Sequence, residues 1–434
     1  MKALFIVFIL LCVIKIIANK GVPRFLWLIG GILYLHDIKV IGPFGIHQIL
    51  IYAFLLSLLR EKGIKRKFIS YPLTGISLLL FVIHLLVGLM DERINLVSSI
   101  NRPIATFSET YLCFFLGYVS LDKFSDMRFF IQKLILLLVP ILIWGLITFV
   151  LQANPYYDLI TLTMSGQVGI WSGLQLRGYR VCSFLSNPIV YGAVMGAMWL
   201  VLFIFWNPKS KILKNFVHIL FLINILLSNS RTGIVTTVLL AVIYFTFLYN
   251  VNLKKLLKVG VICLLLFTVA YSIPPLQRSI DHTYDLYVTG GDNVAGSNME
   301  LKETQLYAST VWFLEKPLFG HGFGFFDEEL GGYDEGGIAG MEGYVYELLI
   351  EQGVIMIIGV CIFVCLFLLY CVEARSYKVL KCLCASLFIS LFFFICATGR
   401  FGNVFEYYAL IIGLVLKLIQ MSSVNRQLKT GVFI

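Results

Sequence analysis

Charged residues are scarce in this sequence, and their scarcity excludes a water-soluble protein. Asp, Glu, Lys and Arg account for 13% of the 434 residues, whereas hydrophobic residues account for 59%. Soluble domains average about 25% charged residues. This balance predicts an all-α polytopic membrane protein. A transmembrane β-barrel is excluded as well, because the apolar runs are continuous and do not alternate with polar residues.

Metal-binding and disulfide patterns are also lacking. The ten cysteines are scattered through apolar runs, and their spacing matches neither a zinc site nor a disulfide framework. Small apolar filler is the ordinary role of cysteine in such runs. Three adjacent carboxylates at 327–329 are typical of a solvated surface. We therefore expect neither a metal ion nor another cofactor.

Long apolar runs predict about 12 transmembrane helices, within a range of about 11–13. The predicted spans are residues 3–18, 44–60, 70–90, 103–120, 129–151, 182–206, 212–228, 232–249, 256–273, 344–370, 378–397 and 404–420. Residues 25–35 are short for a regular span and are predicted to form a half-helix or a thirteenth span. The first run lacks a clear cleavage site, so we expect it to be retained. The whole chain, 1–434, is expected to be one integral membrane domain.

The distribution of Lys and Arg predicts the orientation of the spans. Clusters of basic residues occur in alternate loops, such as 60–67 and 254–258, and basic loops face the cytoplasm. The loops at 152–181 and 273–343 then face outward, which in a bacterium is the periplasmic side of the inner membrane. The net charge of +10 therefore reflects topology, and we expect no nucleic-acid partner.

The outward segment at 273–343 is the longest polar part of the chain. It lies between the spans 256–273 and 344–370 and holds twelve acidic side chains and many aromatic residues. Unstructured loops beyond about 15 residues are usually functional or disordered, and the aromatic residues favour order. We predict a partly helical periplasmic cap that covers an active site at the membrane surface.

Five arginines occupy the outward side, where basic residues are disfavoured. They are Arg177, Arg180, Arg231, Arg278 and Arg400. An Arg at membrane depth costs about 2.5–3.5 kcal/mol on insertion scales, although at a helix end it can reach the interface. Their convergence on one face indicates an anionic partner. Ion pairs with the acidic cap are the alternative explanation.

Three segments carry a recognisable pattern. They are RGYR at 177–180 with FLSNP at 184–188, LSNSRTG at 227–233, and KPLFGHGFG at 316–324 with EGYVYELLIEQG at 342–353. In this order, with a long outward loop before the last one, they resemble the O-antigen polymerase and ligase superfamily. The first 150 residues add only generic spans to this resemblance.

The resemblance implies a metal-independent inverting glycosyltransferase with a largely helical, GT-C-like architecture. Such an enzyme takes a glycan from undecaprenyl pyrophosphate and passes it to a sugar hydroxyl of a second lipid-linked oligosaccharide at the periplasmic face. Membrane lipid and a chain-length regulator protein are further expected partners. The arginines of the family correspond to Arg180, or its neighbour Arg177, and to Arg231, which would hold the pyrophosphate.

The chemistry of this reaction agrees with arginine as the binding group. The pyrophosphate is a good leaving group, so the protein has to position the sugars and stabilise charge on the leaving oxygen. Guanidinium groups stay charged and grip phosphate oxygens with paired hydrogen bonds. Arg231 begins a predicted helix, whose amides at Thr232 and Gly233 are expected to add to the anion site. Arg278 and Tyr344 are further predicted substrate contacts.

The catalytic base is predicted to be Glu342. Members of the superfamily commonly place a His followed by Asn where this chain has Glu342 and Gly343. A partly buried carboxylate can accept a proton from a sugar hydroxyl, but a Glu in the first turn of a helix can also simply complement the helix dipole. His321 is the alternative base, or a positioning residue. Glu347 and Glu351 follow at helical spacing and could line an acceptor channel.

Gly320, Gly322 and Gly324 resemble a nucleotide-binding loop only in spacing. No predicted strand precedes them, and no βαβ unit follows. We expect these glycines to allow a tight backbone path beneath the cap.

A polysaccharide polymerase is the leading interpretation, since the His-Asn pair is missing at 342–343. An O-antigen ligase of the same superfamily differs only in its acceptor and is the first alternative. A transporter of lipid-linked oligosaccharides is the second. Transporters usually show internal repeats and charged residues near the membrane midplane, and we identify neither repeats nor acidic pairs of this kind in the spans.

Overall fold

The computed structural model shows a chain built almost entirely of helices. It describes residues 2–35, 39–41, 44–91, 96–164, 179–185, 187–249, 268, 271–272, 277, 281, 299–325, 343–399 and 402–424. Most of the predicted span at 256–273, most of the predicted cap at 273–343 and much of the predicted loop at 152–181 lie outside these residues.

The described elements are numbered in chain order. In the first part of the chain they are α1 (Lys2–Ala18), α2 (Gly21–Leu35), β1 (Lys39–Ile41), β2 (Phe44–Gly45), α3 (Ile46–Leu59), α4 (Ile64–Ser70), α5 (Thr74–Leu89), α6 (Leu96–Phe107), a π-helical turn (Ser108–Leu112), α7 (Cys113–Tyr118), α8 (Asp126–Leu151) and α9 (Pro155–Met164). In the second part they are α10 (Pro188–Phe205), α11 (Lys211–Leu227), α12 (Arg231–Tyr249), α13 (Met299–Glu315), α14 (Tyr344–Glu373), α15 (Lys378–Thr398) and α16 (Gly402–Val424). The two strands pair antiparallel as a small hairpin before α3.

Six of the described helices are long and apolar enough to cross a membrane, namely α8, α10, α12, α14, α15 and α16. Helices α4 and α5 are bent by 95° relative to each other, and they are long and apolar enough to cross a membrane only when taken together as one broken span. These helices confirm a polytopic helical membrane protein, while the count of about 12 spans stays a prediction. Residues 25–35 belong to α2, whose 15 residues are fewer than a regular span needs.

Small residues let α10 and α12 approach each other closely. A Cβ built on Gly233 would lie 3.1 Å from the Cα of Gly192, and one built on Gly192 would lie 2.9 Å from the Oγ of Ser228. One turn further along, Gly196 faces Thr237, whose hydroxyl donates to the Gly233 carbonyl at 2.9 Å. Helices in membranes associate through such contacts because lipid leaves little hydrophobic driving force between them. The crossing fixes the start of α12 against α10.

A fully buried arginine links α2 to α3 and to the loop that follows. The Nη2 of Arg24 lies 2.7 Å from Oε1 of Glu61, and its Nη1 donates to the Ser57 hydroxyl at 3.0 Å. Its guanidinium carbon lies 4.6 Å from the centre of the Phe54 ring. The more exposed Lys67 shares the Glu61 carboxylate at 3.2 Å. A buried cation persists here because a carboxylate, a hydroxyl and an aromatic face surround it.

Candidate functional site

Three consecutive small polar residues build the turn between α11 and α12. The Ser228 hydroxyl donates to the carbonyl three residues earlier at 2.6 Å and caps the end of α11. Asn229 is left-handed, with φ 46°, a conformation that asparagine adopts more readily than most residues. The Ser230 hydroxyl accepts a hydrogen bond from the Gly233 amide at 3.0 Å and so caps α12. Arg231 is therefore held as the first residue of α12.

The amides of Thr232 and Gly233 were both predicted to contribute to an anion site at the start of α12, and for Gly233 this prediction is wrong. The Gly233 amide already donates to Ser230, so it does not point freely at a ligand. An anion at this helix end would be held mainly by the half-buried Arg231 side chain, with the Thr232 amide beside it.

The segment at 179–185 crosses the fold next to this turn. The Val181 amide donates to the Leu227 carbonyl at 3.1 Å, at the last residue of α11. The Ser183 hydroxyl donates to a carbonyl of α8 at 2.7 Å, and the Asn154 amide group donates to the Ser183 carbonyl at 2.6 Å. These hydrogen bonds hold the segment between α8 and the end of α11.

A Pro and its preceding Asn set the start of α10. Asn187 accepts a hydrogen bond from the Ile189 amide at 2.7 Å, and Pro188 occupies the first helical position, where its missing N–H is no loss. The helix therefore begins at Pro188, and the predicted start of this span at residue 182 is wrong. The residues ahead of Asn187 are left as an irregular segment that carries polar side chains.

The two arginines of these motifs occupy neighbouring parts of the fold. Arg180 immediately precedes Val181, whose amide donates to the carbonyl of Leu227 at the end of α11. Arg231 follows Leu227 by four residues. Arg180 is 6% exposed, whereas Arg231 is half-buried. Beside Arg180, burial raises the pKa of Tyr179 to about 12, so that its phenol stays neutral at physiological pH. Cationic groups next to neutral polar ones suit an anionic ligand.

Other predicted site residues are placed less fully. Arg177, Arg278, Glu342 and Arg400 lie outside the described residues. Tyr344, the first residue of α14, is 2% exposed, and its ring borders an apolar cavity formed by rings and aliphatic side chains of α14, α15 and α16 and of the π-helical region. Its ring therefore packs inside the helical bundle.

The glycine-rich loop at 316–324 fills a break in α14. At Gly353 the helix is interrupted, with φ 68° and ψ −171°. Ahead of the break, the His321 amide donates to the carbonyl of residue 350 at 2.8 Å, and the Gly322 amide donates to that of residue 351 at 2.9 Å. Beyond it, the Val354 amide donates to the carbonyl of residue 317 at 2.9 Å. The loop thus supplies partners to peptide groups that the broken helix leaves unpaired.

The close approach of loop and helix requires glycine. Gly320, Gly322 and Gly324 have φ values of 70°, 98° and 77°. A Cβ on Gly320 would collide with the carbonyl carbon of Glu351 and lie 2.5 Å from the amide nitrogen of Gln352. The prediction that these glycines allow a tight backbone path is confirmed.

His321 is held on several sides. Its Nε2 lies 2.8 Å from the Trp312 carbonyl oxygen, and its ring stacks on Phe325 with 4.2 Å between ring centres. The same Nε2 lies 3.8 Å from a carboxylate oxygen of Glu315. The side chain is 7% exposed. Through these contacts and its backbone hydrogen bond to α14, His321 connects α13 to the interrupted part of α14.

The loop also contacts the α5–α6 region. Arg102 donates to the Phe323 carbonyl at 2.6 Å, and the Phe323 ring stacks on His84 with 5.7 Å between ring centres. A Cβ on Gly322 would collide with the Asp91 carboxylate, and the Asp91 side chain is buried. The loop therefore joins α13, the broken α14, the C-terminal part of α5 and α6.

A buried cluster of ionisable residues was missed in the sequence. His47, Glu109 and Glu406 meet in the interior although they come from three distant parts of the chain. Two of these residues, Glu109 and Glu406, form an acidic pair between the predicted spans 103–120 and 404–420, whereas the prediction that no such pair lies at the membrane midplane stays a prediction. Each of the three is a single ionisable side chain in or beside an apolar run, and this isolation within a predicted span is the sequence feature that could have identified them.

These observations define a multi-pass helical membrane protein in which the irregular segment of Arg180 lies beside the turn that ends at Arg231. Residues 216–361 match the O-antigen ligase family, which confirms the superfamily predicted from the three motifs. The match contains Arg231, the glycine-rich loop and the break in α14, and it begins after Arg180. Members of this family are glycosyltransferase-like enzymes of glycan assembly, and the match indicates a function of the O-antigen ligase or polymerase type. No curated protein matches the chain.

Proposed function

We propose that the chain is a surface-polysaccharide polymerase of the bacterial inner membrane. It transfers a glycan from undecaprenyl pyrophosphate to a sugar hydroxyl of another lipid-linked repeat unit at the periplasmic face, by inverting transfer. The bond between the anomeric carbon and the pyrophosphate oxygen breaks, the bond from that carbon to the acceptor oxygen forms, and the hydroxyl proton passes to a base.

The observation that carries this proposal is the hydrogen bond from the Val181 amide to the Leu227 carbonyl. It brings the segment of Arg180 to the turn that ends at Arg231, and the two permanent cations are proposed to border one anion site. Two guanidinium groups can share the oxygens of a diphosphate and stabilise the charge that develops as it leaves. Arg177, three residues ahead of Arg180, and Arg278 are proposed to widen the same anion site.

The proton acceptor is proposed to be Glu342, which lies immediately before Gly343 and the first turn of α14. The contacts of His321 with a backbone carbonyl and an aromatic ring support a positioning role for that residue. In this arrangement His321 holds the glycine-rich loop against α14 and thereby orients the chain around Glu342.

A ligase of the same superfamily is the second candidate, and the choice between the two is a choice of acceptor. The polymerase is favoured because Glu342 and Gly343 replace the His-Asn pair common in ligases. A transporter of the same glycolipid is the third candidate, and the buried acidic pair of Glu109 and Glu406 is the feature that would favour it.

The test uses the full chain reconstituted in vesicles with undecaprenyl-pyrophosphate-linked repeat units. A polymerase yields a ladder of longer lipid-linked glycans without nucleotide. Transfer only to a different glycolipid acceptor would indicate a ligase, and unchanged substrate moved across the bilayer would indicate transport.

The arginine pair is tested in the same assay. Arg180→Ala and Arg231→Ala should each lower the rate by about 10²–10³, the usual cost of removing one charge-stabilising donor. Arg66→Ala, on the exposed face of α4, is the matched control and should retain the wild-type ladder. Normal ladders from both site variants would remove the pyrophosphate clamp from the proposal.

A further inference from the structure

The buried cluster of His47, Glu109 and Glu406 has the composition of a cation site. The Nε2 of His47 lies 3.1 Å from Oε1 of Glu109 and 3.7 Å from Oε1 of Glu406. One donor atom from each residue lies within 4.8 Å of the other two. Glu406 is fully buried, and Glu109 is 9% exposed. The three residues come from the start of α3, the π-helical turn and the first turns of α16.

Neighbouring groups hold the donors in place. The Gln48 side chain donates to Oε1 of Glu109 at 2.6 Å and accepts from the Gly45 amide at 3.1 Å. Gly45 also leaves room for the His47 imidazole, because a Cβ there would lie 2.6 Å from Nδ1 of that ring. Metal ligands are commonly oriented by such a shell of hydrogen bonds, which sets the direction of their lone pairs.

The two distances from His47 are close to those between ligands of one metal ion. Imidazole nitrogen and carboxylate oxygen bind zinc at about 2.0–2.2 Å, which puts neighbouring ligands of a tetrahedral ion roughly 3.3–3.6 Å apart. The two distances from His47 bracket this range. Carboxylate oxygens enclosed so near each other can be bridged by a shared cation, which interacts favourably with both.

We propose that His47, Glu109 and Glu406 bind one divalent transition-metal ion of the zinc type. The ion fastens α3, the π-helical turn and α16 to one another inside the membrane domain. It takes no part in the glycan transfer proposed above, and the inference does not depend on that function. The π-helical turn places Glu109 toward the other two ligands, and such turns often occur at functional sites.

The experiment uses the full chain, purified in detergent through a tag that contains no histidine and then stripped with EDTA. Co²⁺ is the probe, because its visible absorption intensifies when imidazole and carboxylate bind it in a low-coordinate site. We expect one Co²⁺ per chain and a rise of the thermal unfolding midpoint by several degrees at saturation. His47→Gln and Glu406→Gln should lose the absorption bands.

Gln48→Met tests the orienting hydrogen bond without removing a ligand, and it should weaken Co²⁺ binding by about 10–100-fold. The matched controls are His218→Gln on α11, whose imidazole packs against Trp206, and Glu303→Gln on the exposed side of α13. Both should bind Co²⁺ as the wild type does. A wild-type chain that binds no Co²⁺, or bands that persist in His47→Gln, would overturn the proposal. The wild-type titration decides the question even if a ligand variant fails to fold.

Discussion

Replacing Gly320 by Ala tests whether the glycine-rich loop holds the broken α14 together. Gly320 has φ 70°, and a Cβ there would lie 2.5 Å from the amide nitrogen of Gln352. The chain offers a matched control in Gly63, which has φ 91° and no atom within 4 Å of an added Cβ. Both substitutions carry the same kind of backbone strain, about 1–2 kcal/mol. Only Gly320→Ala adds a collision with another helix.

The extra cost of Gly320→Ala can be worked from the contacts of the loop. Overpacking against an unyielding backbone costs about 1–3 kcal/mol. Moving the loop away instead loses the hydrogen bonds of the His321 and Gly322 amides to α14, each about 0.5–1.5 kcal/mol. Either route costs about 1–3 kcal/mol, because two such hydrogen bonds are together worth about 1–3 kcal/mol, and we expect about 2 kcal/mol for the local opening beyond the effect of Gly63→Ala.

Hydrogen exchange followed by mass spectrometry measures this local opening directly. A loss of about 2 kcal/mol should make the amides of His321, Gly322 and Val354 exchange about 30-fold faster. The Gly63→Ala variant should exchange at the wild-type rate in the same peptides. Equal protection in the two variants would refute the inferred coupling between the loop and the helix break.

Two further outcomes are expected. Glu342→Gln should abolish glycan transfer while the lipid-linked substrate still binds. His321→Ala should lower both the transfer activity and the protection of the loop amides from hydrogen exchange. An inactive His321→Ala variant together with normal activity of Glu342→Gln would identify His321 as the base. Glu61→Gln should destabilise the protein by about 3–5 kcal/mol, because it leaves the Arg24 cation buried without its carboxylate. Lys67→Ala removes only a partly exposed partner and should cost at most about 1 kcal/mol. Equal shifts of the unfolding midpoint in detergent for these last two variants would contradict the buried-pair reasoning.

The membrane class and several helix bounds could be predicted from the sequence because they depend on local composition. Predicted spans at 212–228, 232–249 and 378–397 agree within one residue with α11, α12 and α15. Each of these helices is predominantly apolar and begins at a basic residue. Local hydropathy is enough to find such elements.

Irregular backbone was harder to predict. The predicted span at 344–370 is a helix in the structure, but the interruption at Gly353 was not foreseen. A single glycine in an apolar run is compatible with an intact helix, and the break becomes stable only because a loop from another part of the chain satisfies the freed peptide groups. The π-helical turn at 108–112 likewise depends on packing between segments.

The candidate site was predictable in part. Arg180 and Arg231 were singled out because cations are disfavoured on the outward side, and the structure places their segments next to each other. The meeting of His47, Glu109 and Glu406 could not be derived, because no local pattern relates residues so far apart in the chain. Sequence reasoning finds such residues one at a time, and only the fold groups them.

The turn between α11 and α12 has no spare residue. Ser228 closes one helix, Asn229 reverses the chain and Ser230 opens the next helix. Lengthening or shortening this connection would displace Arg231 relative to the segment at 179–185. Under the proposed function, a change in which sugars are polymerised would then have to arise in other segments, so that the grip on the lipid carrier stays constant.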